Sequence, residues 1–295
     1  MTSVSDIFPD AIATALGDSD AEEVMVNPDG AVWIESAGEV RATGVHVDSR
    51  ERETLARRIA SHLQTDLSPL LSGSIDQMRV QVVMPPLASA PAFSFRLPGR
   101  RRYTLDDFHL SAGQRKALVE AIGNNRSIMI SGATSSGKTS FANALLELPA
   151  FADARLVLIE DTPELQPCSK DIVSLLAGDE ASPRALVRAA LRLRPDRLIL
   201  GEVRGGEAYD LLQALNTGHG GSLTTIHANS PEDALGRLLD LAREAVPGLS
   251  PATIFRARFL VVQLGRIQGR RRILAMSDQT QDKNTEDRQP CPTAS

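Results

Sequence analysis

Eight consecutive residues constrain this chain most. Gly132-Ala133-Thr134-Ser135-Ser136-Gly137-Lys138-Thr139 fits the pattern G-x-x-x-x-G-K-[ST]. It follows a short apolar run, Ser127–Ile130, and precedes the helical run SFANALLEL. Such a loop works only between a strand and a helix N-terminus, where backbone N–H groups converge on an anion. Its glycines permit backbone conformations and a close approach that a Cβ would block. The expected phosphate-binding residues are Gly132, Ala133, Thr134, Ser135, Ser136, Gly137, Lys138, Thr139 and Ser140. Lys138 would reach the β- and γ-phosphates of a nucleoside triphosphate, and the Thr139 hydroxyl would ligate Mg²⁺. Lys138 is one of only four lysines in an arginine-rich chain.

From Ser111 onward, helical patterns alternate with the apolar runs SIMI, LVLIE, RLILGE and SLTTIHA, the pattern of a parallel sheet covered by helices. FLVVQL and RRILAM, flanking Gly265-Arg266-Ile267-Gln268-Gly269, read as a terminal hairpin. The first hundred residues read differently. EEVMV, AVWIES and EVRATGV are short β-rich runs, with a hairpin turn expected at Asn27-Pro28-Asp29-Gly30. Asp48 is a plausible N-cap for a helix carrying Leu55, Ile59 and Leu63, and further β-rich runs cover Met78–Met84 and Ala92–Leu97. The expected fold class is α/β, with a smaller N-terminal α+β domain. The expected boundaries are 1–97 for that domain, 98–110 for an Arg-rich linker, 111–277 for the phosphate-binding domain and 278–295 for a disordered tail.

Three further segments give the loop a direction. In LVLIEDTPEL an apolar strand ends in Glu160 and Asp161, where parallel sheets present functional groups. In RPDRLILGEVRG another strand delivers Glu202, a carboxylate able to hold Mg²⁺ or orient the water that attacks the γ-phosphate. Its strand is expected next to the phosphate loop, with Glu160 in reserve for the same duty. In NTGHGGSLTTIHAN, His219 and His227 do not match common metal spacing and read as sensors of the γ-phosphate.

Composition removes other classes. The net charge is −5, with one tryptophan and two tyrosines, so direct nucleic-acid binding through a basic or stacking surface is not expected. No apolar run approaches the roughly 18 residues of a membrane span, and no basic start precedes an apolar stretch, so a cytoplasmic location is expected. Cys168 and Cys291 make neither a disulfide framework nor a metal knuckle.

Taken in order, the four segments resemble the secretion ATPase superfamily, the RecA-like motors of type II and type IV secretion, pili and conjugation. IEDTPEL looks like its Asp box, LILGEVRG its variant Walker B strand and TGHGGSLTTIHAN its His box. The wording is close to conjugal-transfer ATPases of the TrbB type; there is no CxxC of the zinc module usual in type II secretion ATPases. Ala133 and Ser135 stand where the family more often has glycine. The resemblance implies a RecA-like P-loop NTPase domain, a homo-hexameric ring and ATP hydrolysis that powers substrate translocation or pilus assembly. It also implies partners among the inner-membrane components of a secretion or conjugation apparatus, with peripheral membrane contact. A pilus-retraction or type II secretion ATPase and a nucleic-acid translocase are the alternatives. Arg96 matches a family position that reaches bound phosphate, Arg100, Arg101 and Arg102 more weakly so. Arg194 and Arg204, flanking the Walker B strand, are candidates to carry charge across a subunit boundary.

Overall fold

The computed structural model describes residues 7–36, 39–97, 102–178 and 180–278. They form two compact units that divide between Arg101 and Arg102.

The first unit comprises α1 (Asp10–Gly17), β1 (Glu23–Val26), β2 (Ala31–Ser36), β3 (Glu39–His46), α2 (Ser49–His62), β4 (Leu70–Ile75), β5 (Met78–Val83) and β6 (Ala92–Arg96). The strands make one antiparallel sheet in the order β3-β2-β1-β6-β5-β4. The β1–β2 turn closes where expected, Gly30 N donating to the Asn27 carbonyl at 2.8 Å. The Asp48 carboxylate caps α2 by accepting from Glu51 N at 2.8 Å. Alternate residues of β1, β2, β5 and β6 are buried. Val24, Ile34, Val82 and Phe95 pack with Ile12 of α1 and Leu55 and Ile59 of α2. Each of these side chains contributes about 1.5–3 kcal/mol by leaving water. β4, whose Gly73 and two serines weaken the apolar alternation, was not expected from the sequence.

The second unit comprises α3 (Ala112–Gly123), β7 (Ile128–Gly132), α4 (Lys138–Leu146), α5 (Pro149–Ala152), β8 (Leu156–Glu160), β9 (Ile172–Leu176), α6 (Pro183–Ala190), β10 (Arg197–Leu200), α7 (Glu207–Asn216), β11 (Leu223–Ile226), α8 (Pro231–Ala245), α9 (Ala252–Ala257), β12 (Leu260–Ile267) and β13 (Arg270–Asp278). The sheet order is β13-β12-β7-β11-β10-β8-β9, parallel throughout except for β13. Every residue of β7, β8, β10 and β11 is buried. Successive side chains leave opposite faces of a strand, so each strand feeds two cores. Met129, Val157, Ile159 and Leu198 join the core beneath α6, α7 and α8. Ile128, Ile130, Leu156 and Leu158 join the core beneath α3 and α4. This is the α/β architecture expected of the loop.

Three details depart from expectation. The β10 strand is not adjacent to β7, because β11 lies between them. Part of the supposed linker belongs to the second unit: a 3₁₀ turn at Leu105–Phe108 buries Leu105 and Phe108, and Phe108 packs edge-on against Phe141 of α4. Polar Asp106 and Asp107 disguise that turn as solvated chain, though Asp107 closes a capping box with Thr104. The edge strand β9 also went unread, its residues alternating only between half-buried and exposed. Asp278 still pairs in β13, and the rest of the expected tail, with Cys291, lies outside the described residues. Among the described residues no helix is long and apolar enough to cross a membrane.

Candidate functional site

β7 carries the chain into the loop, and its last residue, Gly132, sits so close to Ser136 and the Leu264 carbonyl that a Cβ would collide with both. Ser135 and Gly137 have φ of +56° and +94°. Glycine adopts that region freely; a serine there costs about 1–2 kcal/mol. The Ser136 amide donates into the loop, to the Ala133 carbonyl at 3.3 Å. α4 starts directly at Lys138, and Gly137 offers no side chain to cap its first-turn amides. Thr139 and Ser140 follow, both half-buried, while Ala133 and Thr134 are exposed. The buried Lys138 ammonium donates to the carbonyls of Gly132 and Ala133, each at 3.0 Å. An amide-lined turn closed over a lysine at a helix N-terminus fits a polyphosphate.

Strands β11, β10 and β8 bring one histidine and the acids to the same edge. Glu202 lies two residues beyond β10 in a turn that is fixed from both sides. Thr225 Oγ1 donates to the Gly201 carbonyl at 2.7 Å, and Val203 N donates to the Thr225 carbonyl at 2.9 Å. The buried Glu207 carboxylate accepts from Arg204 N at 2.6 Å and Gly205 N at 2.9 Å. His227, just past the end of β11, places Nε2 2.8 Å from Glu202 Oε1 and Nδ1 3.3 Å from Lys138 Nζ. The Lys138 ammonium can donate to the ring at Nδ1, while the close approach of Nε2 to Glu202 Oε1 lacks the alignment of a hydrogen bond. Arg204 donates from Nε to Glu202 Oε2 at 2.8 Å, with Nη2 on the same oxygen, and from Nη1 to Asp161 at 2.6 Å. Burial pulls the Arg204 pKa down, but its hydrogen bond to Glu202 and the charges of Glu202, Asp161 and Glu164 raise it overall. Half-exposed pairs of this kind contribute about 0–1 kcal/mol, so the network orients Glu202 more than it stabilises the fold.

The structure thus assembles Lys138, Thr139, Glu202, Arg204 and His227 at one edge, and it separates others that the sequence had grouped. Arg194 and His219 precede β10 and β11, so they stand at the opposite edge of the sheet from Glu202, Arg204 and His227. His219 therefore does not join the set around Lys138 that His227 joins. Glu160, at the end of β8, is buried and accepts from Glu164 N and Leu165 N, both at 2.8 Å. One carboxylate oxygen therefore already holds the Asp-box turn. Arg204 pairs with Asp161 and Glu202 of this chain. Arg96 ends β6 in the first unit with its side chain exposed. Arg102 lies 3.8 Å from Glu147, and Arg100 and Arg101 lie outside the described residues. Glu207 and Thr225 went unread; a helix-opening glutamate and a strand threonine look ordinary until the turn between them is seen.

The model of a family described as "Type II/IV secretion system protein" matches residues 68–291. The chain belongs to that family. Within the type II/IV secretion family it is 38% identical over 281 residues to the conjugal transfer protein TrbB of Rhizobium radiobacter, covering 92% of this chain and 87% of that protein. The crystal structure of the VirB11 ATPase from the Brucella suis type IV secretion system, in complex with sulphate, is 29% identical, with a TM-score of 0.53, covering 92% of this chain and 93% of that one. The ATPase DotB of Legionella pneumophila is similar in fold, with a TM-score of 0.63 at 19% identity over 90% of this chain and 78% of that chain. The α/β fold with a RecA-like ATPase domain is therefore common to this chain and these two ATPases.

Proposed function

We propose that the chain is the ATP-hydrolysing subunit of a type IV secretion or conjugal-transfer apparatus. It works in the cytoplasm as a homo-hexameric ring beside inner-membrane components of that apparatus and powers substrate translocation or pilus assembly. The observation that carries this reading is the connected set Lys138–His227–Glu202 beside the phosphate loop, in a chain of this family.

Lys138 binds the β- and γ-phosphates by exchanging two loop carbonyls for phosphate oxygens. The hydroxyl of Thr139 and the carboxylate of Glu202 are hard oxygen donors of the kind that suits Mg²⁺, directly or through water. Bound Mg²⁺ would neutralise charge on the β- and γ-phosphate oxygens as the bond to the γ-phosphate breaks. Glu202 orients the attacking water and accepts its proton at Oε1, the oxygen that faces His227. Arg204 holds Oε2 and so fixes the rotamer of the base. His227 touches both the lysine and the base, so it registers the γ-phosphate. Glu160 positions the Asp-box turn, and Arg96 is assigned to phosphate contact by family resemblance alone.

Phosphate release by the purified chain, with light scattering in the presence and absence of ATP and Mg²⁺, tests the reading. It predicts slow, Mg²⁺-dependent hydrolysis and a six-subunit mass. A monomer that binds ATP without turnover would contradict it.

A further inference from the structure

The hairpin β12–β13 turns at Gln268-Gly269, both with positive φ, and carries Arg266, Arg270, Arg271 and Arg272. β12 pairs in parallel with β7 on the side away from β11, and Leu264 of β12 is in register with Gly132. Just beyond, Arg266 Nε donates to the Ser135 carbonyl oxygen at 2.9 Å. A trans peptide is planar, with its C=O and N–H pointing opposite ways. Holding the Ser135 oxygen toward the hairpin therefore turns the Ser136 N–H into the loop, where it meets the Ala133 carbonyl. Ser135 is the loop residue most in need of such control, a non-glycine held at φ +56°. Arg271 adds a second restraint. Its stem lies across Gly137, where a Cβ would strike it, and its guanidinium stacks 4.5 Å from the centre of the Tyr103 ring.

We propose that Arg266 is a positioning residue of the nucleotide site. It fixes the Ser135–Ser136 peptide in the orientation that presents the Ser136 N–H to phosphate, while Arg271 keeps the hairpin seated on the loop. This rests on the reading of the loop as a phosphate site and extends it to a residue 131 positions away in the chain.

The test is titration calorimetry with ADP and Mg²⁺ on the full chain, alongside steady-state ATP turnover and thermal melting. Arg266→Met is expected to weaken ADP binding about tenfold and to raise KM by a similar factor, with kcat and melting temperature nearly unchanged, because uniform binding is what is lost. Arg266→Lys, which keeps an N–H donor, is expected to recover most of the affinity. ADP binding by Arg266→Met at the unaltered level overturns the positioning role. If that variant does not fold, Arg266→Ala is combined with Ser135→Gly, whose peptide turns more freely. Losses greater than the sum of the two singles support the coupling, and additive losses overturn it. Unchanged ADP affinity in Lys138→Ala overturns the phosphate reading itself, and the proposal with it.

Discussion

The two edges of the parallel sheet are built from the same strands and do opposite things. At the edge where the strands end, polar and charged side chains meet one another: Lys138, His227, Glu202, Arg204 and Asp161 form one connected set. At the edge where the strands begin, Arg197 is spent on the fold. It is buried, donates to the carbonyls of Ile122 at 3.1 Å and Gly221 at 3.3 Å, and lies 4.8 Å from the centre of the Phe151 ring. Burial lowers its pKa from the ordinary guanidinium value, and the neighbouring Asp196 opposes that shift. The difference comes from parallel pairing. All the loops after the strands leave from one edge, so residues far apart in sequence meet there, while the other edge has only connections to secure.

That contrast makes the two edges separable by mutation. The largest effect is expected at Lys138. Lys138→Ala should weaken ATP and ADP binding by about 100-fold or more, since each charge-assisted bond lost is worth about 1.5–3 kcal/mol. Nucleotide titration checks it; without nucleotide the loss of stability should be smaller than for Arg197→Ala, because one of the two carbonyls that Lys138 holds belongs to the exposed Ala133. Arg197→Ala should do the reverse. Leaving the Gly221 carbonyl unpaired, with the Ile122 carbonyl kept only by the Asn125 amide, costs about 1–3 kcal/mol of stability, read by denaturant unfolding, while the folded fraction still binds nucleotide. The smallest effect separates the histidines. His227→Ala should lower turnover about tenfold, or about 1.4 kcal/mol, with binding nearly intact, whereas His219→Ala should change it less than twofold. An equal loss in both would mean that the strand-start edge also takes part in turnover and that the contrast between the edges does not hold.

The phosphate loop was legible because its spacing encodes its own geometry, and the buried strands β7, β8, β10 and β11 because their apolar runs are continuous. What the sequence could not show was which end of a strand a residue occupies relative to a neighbour. His219 and His227 stand eight apart in one motif, yet the four-residue strand β11 sends them to opposite edges. Arg194 and Arg204 are parted by β10 in the same way. Glu160 reads as a catalytic acid because backbone amides, which no sequence pattern records, are what occupy it. Arg266 was invisible for a related reason, since its partner is a carbonyl oxygen rather than a side chain.

The central claim is that the strand-end edge performs hydrolysis, with Glu202 acting on the attacking water. Measuring ATP affinity and phosphate release together for Glu202→Gln and Glu160→Gln tests it most directly. The account predicts that Glu202→Gln binds ATP with near-normal affinity and loses about 10²-fold or more in turnover, while Glu160→Gln, which keeps an acceptor for the two amides it holds, continues to turn over. Normal hydrolysis by Glu202→Gln together with a dead Glu160→Gln would contradict it and move the base to the Asp box.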